Sequence, residues 1–259
     1  MPVEPMAAFP LAPARRQLLS ALALLASGAW AVPPPPRLIA VLVNVPPWTF
    51  AEEGAAFRGI MSEVIFELGR LSGLPVEVEL LPFARLLVLI ESGRAALTMA
   101  VRTPVLERVA TPLARLGAED IIIVTLKGLP VQSMQDLRGK QVAQLRYIDY
   151  LADSDADPST TKYEINTYEQ GVKMLLEGRF DAVIGLRTSL TYALARNPAA
   201  AGRIAPIYTV RSKELCVYLS RAFADQEALQ RLQAGARQLV DLRVIERVRR
   251  DFLKSGMLR

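Results

Sequence analysis

Four arginines carry the first chemical signal. Arg85, Arg102, Arg146 and Arg187 each come soon after an apolar run that reads as a strand, respectively VEVELL, AALTMAV, QVAQL and DAVIGL. A guanidinium grips a carboxylate or phosphate through two parallel hydrogen bonds, so arginines gathered at strand ends favour an anionic ligand. For each one alone, a rim or salt-bridge role stays open. Arg85 also falls at a predicted helix start, which is already electropositive, so an anion or acidic partner is expected near it. The second signal is aromatic. Trp48 and Phe50 sit in PPWTF, directly after RLIAVLVNV, and Tyr147 and Tyr168 sit where two later helices are predicted to begin. Such rings either wall a ligand pocket or plug a core, and both readings stand at this stage.

Other chemistries are excluded or disfavoured. The 259 residues contain no histidine, which removes a Ser-His-Asp triad and the usual zinc sites. Cys216, in LCVYL, is the single cysteine and can form no intramolecular disulfide. Asp149, Asp153, Asp155 and Asp157 crowd one stretch, but without the glycine and distal glutamate of an EF-hand loop. They read as a solvated loop, and neither metal nor cofactor is expected. The net charge of +5 is spread along the chain without aromatic interleaving, which argues against nucleic-acid binding.

The elements that position these residues alternate. Residues 1–31 read as a signal peptide: Arg15-Arg16, the apolar run LLSALALLASG, then Ala29-Trp30-Ala31. The run is too short to span a membrane, and an uncleaved anchor is the competing reading. After it, RLIAVLVNV, VEVELL and AALTMAV are predicted strands, separated by the helices GIMSEVIFELGRLSG and PFARLLVLIESG. DIIIVT is a further strand. A second β-α-β-α-β unit follows: QVAQL, a helix over RYIDYLAD, KYEINTY, the helix YEQGVKMLLEG, DAVIGL and the helix TSLTYALARN. IAPIYTV and ELCVYLS add strands, and two helices close the chain. This order predicts two parallel-sheet α/β lobes. Lobe 1 spans 37–126 and 209–259, and lobe 2, nested within it, spans 127–208. The chain crosses between them near Thr125 and Tyr208, through two adjacent extended segments. Ligands of open α/β sheets bind at the carboxyl ends of the strands, so a cleft between lobes is expected, with hinge closure as its motion.

Four stretches in order resemble the family 3 bacterial extracellular solute-binding proteins, the polar-amino-acid receptors of ABC transporters. They are PPWTF with FRGIMSEVIFELGRLSGL, then LLVLIESGRAALTMAVRTPVLERVA, MQDLRGKQVAQL, and YEQGVKMLLEGRFDAVIGLRTSLTYAL. The resemblance spans Arg37 to Met257. It implies a two-lobed periplasmic-binding-protein (type II) fold and a monomer in the periplasm. It also implies capture of a small polar solute for an ABC permease, with an aromatic wall at Trp48 and Phe50 and a contact at Thr103. The departures are specific. The family's carboxylate-binding arginine is replaced by Leu106, leaving Arg102 or Arg108 as substitutes. The family's ammonium-binding aspartate is replaced by Leu186, beside Arg187. An ordinary α-amino acid is therefore not the expected ligand. A sensory domain acting through a separate receptor is a second reading. A dehydratase-like enzyme, with Glu169 as its only candidate acid, is a third.

Overall fold

The computed structural model describes residues 37–51, 57–146, 148–151 and 157–254. The predicted signal peptide, Tyr147, Asp153 and Asp155 lie outside them. Three apolar runs form the first parallel set: β1 (Leu38–Leu42), β2 (Val76–Leu80) and β3 (Leu97–Val101), paired in the order β2-β1-β3. Their connections are α1 (Ile60–Ser72) and α2 (Phe83–Glu91). A second parallel set contains β5 (Gln141–Leu145), β6 (Thr161–Ile165) and β7 (Ala182–Leu186), with β5 between the other two. Its helices are α4 (Tyr168–Leu176) and α5 (Arg187–Ala195).

Two long antiparallel strands join the sets into one eight-stranded sheet. β4 (Ala110–Thr125) follows the short helix α3 (Pro104–Val109), and β8 (Tyr208–Ser220) returns beside it. β8 pairs with β3 at one end, and β4 pairs with β7 at the other. The crossings expected near Thr125 and Tyr208 are thus extended and adjacent, with Ile123 opposite Tyr208. β4 begins ten residues before the predicted DIIIVT. Its first part is irregular, with register shifts around Pro112–Ala114 and Arg115–Ala118. Pro112 has no N–H to give to a ladder, and Gly117 takes φ 122°, a left-handed value that favours glycine. Bulges of this kind hide a strand from period-two reading and increase its twist. The segments IAPIYTV and ELCVYLS, read as separate strands, merge into β8.

The sheet is covered on both faces. Ala40 and Leu42 of β1 point into the main core with Ile60, Val64, Ile65 and Leu68 of α1. Val41, between them, points to the opposite face, where Leu86, Ile90, Leu106, Cys216 and Tyr218 pack. The closing helices are α6 (Gln226–Asp241) and α7 (Val244–Lys254), and α6 lies on α1. The predicted helix over RYIDYLAD is absent from its described residues. Arg146 N–H donates to the Ile165 carbonyl, Ile148 N–H to the Leu145 carbonyl, and Leu151 N–H to the Asp149 carboxylate. The aspartate side chain competes for the backbone and turns it.

The start of α1 depends on one close approach. Pro47 and Trp48 supply carbonyls to the N–H groups of Ile60 and Met61, at 3.2 and 2.7 Å. These would otherwise be unpaired first-turn donors. The approach is possible because Gly59 sits at φ 131°, where an added Cβ would lie 2.4 Å from the Trp48 oxygen. Gly59→Ala is expected to lower stability by about 2–4 kcal/mol, since left-handed strain and overlap add. Gly117→Ala has a similar φ but no atom within 4 Å and should cost only about 1–2 kcal/mol. Urea denaturation of both variants checks the difference.

Candidate functional site

The carboxyl ends of both parallel strand sets meet across a cleft. From the first set come Val43–Val45 after β1, Leu80–Phe83 at the end of β2, and Met99–Val101 with Thr103 at the end of β3. From the second come Leu145, Arg146 and Ile148 after β5, Asn166 and Thr167 after β6, and Leu186 at the end of β7. The cleft has an outer cavity of about 560 Å³ and a narrower inner cavity of about 60 Å³. The outer one carries Asn44, Arg146, Asn166 and Thr167 among apolar walls. The inner one is lined by carbon except for the hydroxyls of Thr103 and Tyr150 and backbone atoms. Two more open hollows, of about 370 and 350 Å³, lie beside Phe66–Val76 and beside Leu126, Gln141 and Phe180.

Local structure explains how several of these groups are held. Thr103 caps α3 by accepting the Leu106 N–H at 3.3 Å. Thr167 caps α4 by accepting the Gln170 N–H at 3.1 Å, and Gln170 returns a bond from its side-chain oxygen to the Asn166 N–H at 3.0 Å. The Tyr150 and Tyr168 hydroxyls are 3.0 Å apart, and the Tyr168 oxygen also accepts the Leu186 N–H at 3.1 Å. Burial pushes both phenols above their ordinary range. Tyr168 thus works beneath the cleft wall, and Tyr150 is the tyrosine that reaches the inner cavity.

The arginines are distributed differently from the sequence expectation. Arg146 lines the outer cavity and faces Glu164 at 3.6 Å, both side chains about half exposed. Arg102 is bound between Glu107 at 2.6 Å and Glu214 at 2.9 Å. Arg187 bonds Asp120 at 2.9 Å and Thr209 at 2.5 Å. Arg85 is exposed on the first turn of α2 and lines neither cavity. Arg108 is exposed on α3 while Leu106 is fully buried. The acids that take up Arg102 and Arg187 lie on β4, β8 and α3. Sequence reasoning missed them because charges within or beside strands carry no periodic signal.

Trp48 is wholly buried. Its backbone is tied to Val45 and Met61, its side chain packs in the main core, and the Arg249 guanidinium of α7 lies 4.8 Å from the ring centroid. It is a core residue and not part of either cavity wall. Phe50 is half-buried and packs against the same core. The aromatic side chain that lines both cavities is Phe83. Phe83 follows a predicted strand in PFARLL, two residues before Arg85, and nothing in the local sequence marks it over its neighbours.

Arg249 extends the network. It donates to Glu119 of β4 at 3.0 Å, and Glu119 accepts the Thr188 N–H of α5 at 2.7 Å. Leu186 at the α5 N-cap has no side-chain oxygen to offer, so Glu119 supplies the missing acceptor from the neighbouring strand. Glu119 is only 4% exposed, and burial raises its carboxyl pKa. Asp120 moves the other way, lowered by the Ser212 hydroxyl and then by Arg187.

No protein-family model matches the chain, and no curated protein matches it. Solved structures do. A histidine kinase sensor domain with similarity to periplasmic binding proteins superposes with a TM-score of 0.71 at 18% identity, over 85% of this chain and 97% of that one. The periplasmic-binding-protein fold is shown. The substrate-binding protein of an amino-acid ABC transporter gives a TM-score of 0.68 at 16% identity, covering 85% of this chain and 100% of its own. An ancestral arginine-binding protein bound to arginine gives 0.69 at 18%, covering 83% and 97%. The expected two-part α/β architecture on a two-strand connection is therefore the one observed.

Arg249→Met would leave the Glu119 carboxylate buried without its cation. The loss should be roughly 2–4 kcal/mol, below that of a fully buried pair because Arg249 is partly exposed. The Glu119 pKa would rise further above its unfolded value. Between the two values the native state holds a proton that the unfolded chain has released, so stability falls as pH rises. The loss should therefore be larger at pH 8 than at pH 5, as measured by urea denaturation.

Proposed function

We propose that this protein is a solute-binding protein that captures a small ligand between two lobes, 37–126 with 209–259 and 127–208, and closes about β4 and β8. The supporting observation is the cleft itself. The carboxyl ends of four strands, β1, β2, β5 and β6, converge on a cavity large enough for a small molecule, and those of β3 and β7 line the narrower space beside it; Arg146, Asn44, Asn166 and Thr167 are able to orient a ligand there. The solute is small and anionic, with Arg146 as its principal cation. Of the described residues lining the two cavities, Arg146 and Tyr150 are the only titratable ones. Tyr150 is a poor base because burial holds its proton. This supports binding without chemistry over a dehydratase-like role.

Delivery to an ABC permease as a periplasmic monomer, after removal of residues 1–31, is the physiological reading we favour. No helix among the described residues is long and apolar enough to cross a membrane. The sensor domain among the similar structures supports a second reading, in which the same closure signals through a separate receptor.

A thermal-shift panel of amino acids, monocarboxylates, dicarboxylates and phosphorylated metabolites tests the proposal. A solute at about 100 times its Kd stabilises by about 2.7 kcal/mol, which for a chain of this size raises Tm by roughly 5–10 °C. Ile148→Trp, filling the half-buried outer cavity, should abolish that rise. No shift with any member of the panel, or an undiminished shift in Ile148→Trp, would contradict the assignment.

A further inference from the structure

The chemistry of the cleft narrows the ligand class further, and the step rests on the solute-binding reading above. We propose that the cleft takes an amphipathic monocarboxylate: one carboxylate on a branched or aromatic apolar body, without an ammonium group.

Charge comes first. Among the described residues, Arg146 is the only cation on either cavity wall. Arg102 and Arg187 are engaged by Glu107, Glu214 and Asp120, so a second negative charge on the ligand would find no free partner. Arg146 itself is available. Its pair with Glu164 is long at 3.6 Å and about half exposed on both sides, and pairs of that kind contribute little. Among the described residues, no carboxylate lines either cavity. A ligand ammonium would therefore lose its water shell beside a guanidinium and apolar walls, with nothing to pair its charge.

Shape and polarity agree. Behind Arg146 the cleft narrows onto Val43, Phe83, Met99, Val101, Ile148 and Leu186. The two hydroxyls on that wall already have partners, Thr103 at the Leu106 N–H and Tyr150 at Tyr168. That wall offers a polar body few hydrogen-bond partners, whereas an apolar body needs none. The carboxylate would stay at the outer cavity with Arg146, Asn44 and Asn166, and the carbon body would face inward. Leu186 and Phe83 give the inner wall branched and aromatic surfaces, which favour a branched or ring-bearing tail.

Isothermal titration calorimetry with matched probes tests this. 4-Methylpentanoate and phenylacetate are the carboxylate probes. Leucine shares the 4-methylpentanoate skeleton but adds the ammonium, succinate adds a second carboxylate, and 4-methylpentan-1-ol removes the charge. The expected order places 4-methylpentanoate or phenylacetate at least tenfold tighter than leucine, succinate and the alcohol. Arg146→Gln, at an exposed position, should weaken the carboxylate at least tenfold with the Tm of the free protein unchanged. If leucine or succinate binds as tightly as the monocarboxylates, the solute-binding reading stands and the ligand class is overturned. If Arg146→Gln binds 4-methylpentanoate undiminished, the placement of the carboxylate is overturned. If neither these probes nor any member of the wider thermal-shift panel binds, both readings fall together.

Discussion

The antiparallel pairing of β4 with β8 is the constraint on which the rest of the structure depends. Here the two parallel α/β sets are joined in one sheet through an antiparallel pair rather than directly. β8 lies against β3, β4 lies against β7, and the pair between them carries the sheet from one unit to the other. The first part of β4 is irregular in register, and bulges of this kind increase local twist. Polar side chains then bolt the neighbouring elements to it. Glu119 accepts the first free N–H of α5 and the guanidinium of α7, and Asp120 holds Arg187 and Ser212. Such groups cost stability if left unpaired, so their mutual satisfaction fixes the register of α5, α7, β4 and β8 together.

This use of charge determines what remains for the cleft. Arginines at strand ends looked like a ligand cage in the sequence. In the structure two of the four neutralise acids around the connection, one is exposed on α2, and one stays on the cavity wall. The same residue types can build a hinge or an anion site, and the difference lies in where the acids fall in three dimensions. Glu107, Glu214 and Asp120 are distant in sequence from most of the arginines they hold. The cleft that results is mainly carbon-lined with a single positive rim, a setting unlike that expected for a polar zwitterion.

Much of the fold was legible because burial imposes simple patterns. Strands buried on both faces read as continuous apolar runs, as in β1, β3 and β7, and α1 showed its core stripe at helical spacing. A threonine just before an apolar helical stretch marks a helix start, and Thr167 caps α4 by accepting the Gln170 N–H. What escaped was set by long-range partners. The first half of β4 carries Pro112 and bulges that break its alternation, and it is held by β8 a hundred residues later. RYIDYLAD has helical composition, but Asp149 captures the backbone and Arg146 is drawn to β6. Trp48 was ambiguous in the sequence, and the backbone bonds at Gly59 with the packing of α7 resolve it as core. Phe83 and Tyr150 reach the cavity from positions that local sequence does not distinguish from their neighbours.

The central claim is that two α/β units close on a solute about β4 and β8. Double electron–electron resonance measures this directly, with spin labels on Val88→Cys of α2 and Tyr163→Cys of β6, both exposed, and with the buried Cys216 left in place. The account predicts that a stabilising solute shifts the label–label distance distribution to a shorter, narrower population. A distribution unchanged at saturating solute would contradict it.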